Sequence, residues 1–123
     1  MILVCTCCDP VSSMEANILN ATSESLTLDF ISSDEDLRKT LEVLPDQSAL
    51  FQEGFDIGGI FLEPSLVDYD SVVIKNQAEV ILKIYKENDS GKNIYRIEEY
   101  WTATEPSKRV YIYEYEIVNE DIE

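Results

Sequence analysis

The sequence predicts an α+β fold: mainly antiparallel sheet, with a C-terminal β-meander and one or two short helices packed on one face. Runs of alternating apolar and polar residues fill the last third of the chain, and residues 32–44 carry leucines at helical spacing. A length of 123 residues with 45% hydrophobic side chains suits one domain spanning 1–123. Such a chain buries roughly two-thirds of its unfolded surface without a metal or disulfide staple.

Residues 2–8 read as a short strand that is apolar on both faces and therefore central, stopped by Asp9 and Pro10. Ser12 stands three residues before Glu15 in capping-box spacing, and Ile18 and Leu19 supply the stripe of a short helix. Over 25–31, Leu26, Leu28 and Phe30 alternate with Thr27, Asp29 and Ile31, the pattern of a strand with one better-buried face. The clearest helix follows. Ser32 caps it and Glu35 sits three residues on. Asp34, Glu35 and Asp36 complement the positive helix start, Leu37, Leu41 and Leu44 form its stripe, and Pro45 ends it.

Gly54, Gly58, Gly59 and Pro64 interrupt residues 46–71, yet Phe55, Ile57, Ile60, Phe61 and Leu62 call for burial, so a strand is expected over 57–62. Residues 78–87 satisfy both periods, and their β-branched and aromatic composition decides for a strand. Asn88, Asp89, Ser90 and Gly91 then form the turn of a hairpin whose second strand, 94–101, puts Tyr95, Ile97 and Trp101 on one face. A turn over 104–108 around Pro106 leads to the last strand, 110–118. There Tyr111, Tyr113, Tyr115 and Ile117 face one way, and Val110, Ile112, Glu114 and Glu116 the other. Residues 119–123 are expected to fray.

Charge is the most unusual property. The chain has 25 Asp and Glu against 9 Lys and Arg, a net charge of −16. Residues 1–74 hold 14 acids but only Arg38 and Lys39 as bases, for a net −12, whereas 75–123 is nearer balance at −4. Such self-repulsion opposes compaction and suits solubility or steering toward a cationic partner. Direct binding to nucleic-acid phosphates or anionic membranes is disfavoured, because both draw on Lys and Arg.

There is no histidine, which removes Ser–His and Cys–His nucleophile pairs, histidine metal ligands and a histidine pH switch. Cys5, Cys7 and Cys8 fall short of the four ligands of a structural zinc site, and in a strand Cys8 faces away from the other two, so core packing is expected of them. The glycines of 54–59 lack both GxGxxG order and a phosphate-binding lysine. Carboxylates are too abundant for any one pair to single out a glycosidase, and neither residues 34–36 nor Asp68 with Asp70 follows a calcium-loop pattern. The Asn20 and Asn88 glycosylation triplets are discounted. No signal peptide or membrane-spanning stretch is evident, and three clustered cysteines fit a reducing compartment; a cytoplasmic location is expected. No cofactor, metal or catalytic residue is expected.

The chain therefore reads as a non-catalytic acidic protein that binds and inhibits a basic partner, a nuclease or a nucleic-acid-binding protein, in the manner of an immunity protein or a DNA mimic. Asp34, Glu35, Asp36, Glu42, Asp46, Glu53, Asp56, Asp68 and Asp70 would supply the field, with Tyr111, Tyr113 and Tyr115 as weaker aromatic anchors. For the tyrosines the competing expectation is plain core. The alternative for the whole chain is a structural or adaptor module whose charge serves solubility alone.

Overall fold

A computed structural model describes residues 11–57 and 62–123; the strand expected over 2–8 and the three cysteines lie outside the described residues. Its elements are strands β1 (Val11–Asn20), β2 (Leu26–Ile31), β3 (Lys39–Val43), β4 (Ser48–Ile57), β5 (Ser71–Lys75), β6 (Ile81–Tyr85), β7 (Thr102–Ser107) and β8 (Val110–Ile117). A 3₁₀ turn at Glu35–Leu37 and a single-turn helix α1 (Ile97–Tyr100) stand between them, and a second single-turn helix, α2 (Asn119–Ile122), follows β8. One sheet has the order β4-β1-β8-β7 and the other β3-β2-β5-β6. Among the described residues every pairing is antiparallel except β1 with β8. The domain is thus dominated by two mostly antiparallel sheets.

The sheets pack face to face, and β1, β2, β3, β5 and β8 each alternate a better-buried set with a wetter one. From the first sheet come Met14, Ala16, Ile18, Phe51, Tyr113, Tyr115 and Ile117; from the second, Leu26, Leu28, Phe30, Val43, Val72, Ile74 and Tyr85. Phe30 stacks on Phe51 with ring centroids 4.7 Å apart, and Tyr85 meets Tyr115 edge-on at 6.0 Å.

Four expectations are corrected. Residues 12–19 are strand rather than helix: Ser12, Met14, Ala16, Ile18 and Asn20 form a buried period-two face. Pairing with β4 on one side and β8 on the other overrides a local capping-box pattern. The helix expected over 32–44 is reduced to the 3₁₀ turn followed by β3. Leu37 and Leu44 are exposed, and the inward set is Lys39, Leu41 and Val43, again at period two. Ser32 Oγ and Asp34 Oδ1 each accept a turn N–H, so these residues cap a turn instead of a helix.

The meander is the third correction. The strand expected over 78–87 is present as β6, but it pairs with β5 in the second sheet, while β8 belongs to the first. Residues 94–101 turn and close as α1, and β7 occupies the segment assigned to the Pro106 turn. The reason lies in two buried polar groups. Asn93 Nδ2 donates to the carbonyls of Lys86 and Asp89, and Trp101 Nε1 donates to the Ile94 carbonyl at 2.8 Å, so the segment folds back on itself instead of extending. Fourth, the C-terminus does not fray, since α2 buries Ile122 and Asp121 accepts from Lys92 Nζ at 2.7 Å and from the Val118 N–H at 2.9 Å. Of the strand expected over 57–62, Ile57 ends β4 and 58–61 lie outside the described residues.

The Tyr85–Tyr115 pair carries a pH signature. Tyr115 donates its hydroxyl to that of Tyr85 at 2.8 Å, and both rings are fully buried. Burial pushes the Tyr85 phenol up to about 12, partly offset by the bond from Tyr115. Tyr115 is raised further still, first by burial and then by Tyr85, and burial also pushes Tyr95 to about 12. Unfolded tyrosines ionise at pH ~10. The raised phenols therefore contribute stability that is complete below about pH 10 and lost as pH rises toward about 12. The urea midpoint is expected to fall across that window, with phenolate absorbance from Tyr85 and Tyr95 emerging only toward pH about 12; ionisation of both at pH ~10 in the folded state would refute the burial account.

Candidate partner-binding surface

Five of the nine basic side chains, Arg38, Lys39, Lys75, Lys92 and Arg96, are engaged by partners within the fold. Lys75 pairs with Asp29 at 3.1 Å and with Glu79 at 3.8 Å, Lys92 with Asp121, and Arg96 with Glu99 at 3.7 Å. Lys39 points into the seam between the sheets, where its ammonium donates to the Phe51 carbonyl and lies 5.1 Å from that ring's centroid. Burial lowers its pKa, with Glu53 nearby working in the other direction. Arg38 donates Nε to the Ser32 carbonyl. Among the described residues, no ion pair involves any acid other than Asp29, Glu79, Glu99 and Asp121.

The sequence-derived acids fall into three places. Asp34, Glu35 and Asp36 stand exposed on the 3₁₀ turn at the end of β2. The Asp70 N–H donates to the Ile31 carbonyl at 2.7 Å, which brings the turn bearing Asp68 and Asp70 to that same end of the second sheet. Glu42 faces solvent toward the opposite end, on β3 opposite Thr27. Asp46 lies there too, at a positive φ of 62° in the β3–β4 turn, with its N–H on the Asn20 carbonyl. Glu53 stands on the outer face of the first sheet, and Asp56 is half-buried opposite Ser12.

The tyrosines divide as well. Tyr115 is 0% and Tyr113 3% exposed, and the Tyr113 hydroxyl donates to the Leu62 carbonyl. Both belong to the core and have no surface to offer. Tyr111 is half-buried at the rim of a groove.

That groove was not legible as a site. It is an open trough of about 420 Å³ across the outer face of β4, β1 and β8, and its walls include Glu15, Glu53, Phe55, Val110 and Ile112. Glu15 and Glu53 are direct cross-strand neighbours, and Glu15 lies beside Ile112 on the other side. Phe55, expected to be buried, is 68% exposed, and Ile57 at the strand end is 64% exposed. The missed signal was the outward set of 11–20, Val11, Ser13, Glu15, Asn17 and Leu19, which a strand reading would have placed on one face.

No three carboxylate or thiol side chains converge as a metal site among the described residues, and no described helix is long and apolar enough to cross a membrane. Comparison with family models, curated proteins and solved structures finds no match.

Proposed function

We propose that the chain is a small, non-catalytic acidic protein that acts in the cytoplasm by binding and inhibiting a basic partner, a nuclease or nucleic-acid-binding protein. The observation that supports this reading most is the gathering of Asp34, Glu35, Asp36, Asp68 and Asp70 at one end of the second sheet, while most of the chain's cations are held by internal partners. Such a local concentration of charge accelerates encounter with a positive cleft and makes it sensitive to salt.

Reversing Asp34, Glu35 and Asp36 together to Lys is expected to slow association with a cationic partner by about tenfold or more at low salt, and to restore that partner's binding to DNA or RNA. The three side chains are exposed, so the variant should fold. Asp34→Asn alone tests the cap separately, because its Oδ1 still accepts the Asp36 N–H. Association that is insensitive to salt and to the reversal would sink the proposal, and an adaptor would leave nucleic-acid binding unchanged.

A further inference from the structure

We infer that the groove on the outer face of the first sheet is the anchor of this binding protein, and that its occupant is a partner's arginine side chain flanked by an apolar residue. The inference rests on the acidic-inhibitor reading but on different residues. The register sets Glu15 opposite Glu53. Side chains so placed have Cβ atoms about 4.5–5.5 Å apart, and like charges there oppose the pairing. Asn17 Nδ2 satisfies one oxygen of Glu15 at 2.8 Å. Glu53 accepts no hydrogen bond among the described residues, and the nearby Lys39 is held by the Phe51 carbonyl on the inner side.

A planar guanidinium placed between the two carboxylates would relieve their repulsion and offer each a charge-assisted hydrogen bond, which an ammonium does with poorer geometry. The floor beside them is apolar: Phe55 is exposed, and Val110 and Ile112 are half-buried on the adjoining strand. An arginine stem and a neighbouring leucine or phenylalanine cover such a floor, and an apolar contact inside a polar rim is the usual anatomy of a binding interface.

The test uses the full chain and three capped peptides, Gly-Arg-Leu-Arg-Gly, Gly-Gln-Leu-Gln-Gly and Gly-Arg-Gly-Arg-Gly, followed by amide chemical shifts. The first peptide is expected to move the amides of Ser13, Glu15, Glu53, Phe55 and Ile112, and to bind about tenfold more tightly than either of the others. Glu15→Gln with Glu53→Gln, or Phe55→Ala, should remove that advantage. Unchanged spectra elsewhere would show that the variants fold. Equal binding of the neutral peptide, no shift in the groove with any peptide, or shifts confined to residues 34–36, 68 and 70 would each overturn the anchor. The last result would leave the acidic-field proposal standing, since that is tested separately by salt and by the charge reversal at 34–36.

Discussion

Phe51→Ala is expected to lower the unfolding free energy by about 3–5 kcal/mol, the range for removing a fully buried phenylalanine. Phe51 is 1% exposed and ties the two sheets together. Its ring stacks on Phe30, lies 6.1 Å from Trp101 and 6.2 Å from Tyr69, and carries the Lys39 ammonium above it. It is also the extra residue of the irregularity between Ala16 and Asn17, where β1 pairs with Gln52 on one side and Leu50 on the other. The cavity would sit at the centre of the sandwich, with aromatic walls on three sides that cannot all collapse inward. Small domains typically have ~5–15 kcal/mol in total, so urea denaturation should show a large fall in midpoint. Phe51→Leu keeps most of the volume and should cost no more than about 1.5 kcal/mol. A loss below that for the alanine variant would mean that the seam is not where the sheets are held.

Asn20→Ala should cost about 3 kcal/mol through polar groups rather than volume. The side chain is 0% exposed and all its bonds are internal. Nδ2 donates to the Glu24 carbonyl at 2.7 Å and to the Val43 carbonyl at 2.8 Å, while Oδ1 accepts from the Thr22 N–H and hydroxyl. One residue thereby joins the end of β1 to the start of β2 and the end of β3, and alanine leaves buried donors and acceptors on all of them. Asn20→Asp should be worse near neutral pH, because it turns a carboxylate toward two carbonyls in a buried site. Burial would raise that carboxyl's pKa, so the gap between the two variants should narrow as pH falls and the group protonates. Urea curves of both at neutral and mildly acidic pH decide it. An aspartate variant as stable as wild type at neutral pH would show the site to be wet.

Much of the chain's character was legible before any pairing was known. The strands over 26–31 and 81–85 and the two faces of 110–117 follow from alternation and β-branched composition, which report local burial. The helices over 12–19 and 32–44 were misread because a capping-box spacing or three leucines at helical intervals cost little to produce by chance. Period two in the same residues becomes decisive only when a neighbouring strand exists to use it. The acids at 34–36, 68 and 70 were found by composition, but their meeting at one end depends on a backbone bond from Asp70 to Ile31. Glu15, Phe55 and Ile112 were missed as a site because they come from three strands.

By itself, then, the sequence determined that this is an acidic, histidine-free, sheet-rich chain whose negative charge lies mostly in its first half. Those properties are sums over residues or patterns within a few of them, and no partner strand is needed to read them. Only the tertiary structure decided that β6 and β8 lie in different sheets, that β8 runs parallel to β1, and that Tyr113 and Tyr115 face inward. It also decided that two glutamates separated by most of the first half of the chain stand side by side above an apolar floor. Each of these follows from which strands pair and in what register. A one-residue slip would turn every side chain of a strand to the other face, and that choice is made by long-range burial rather than by local propensity.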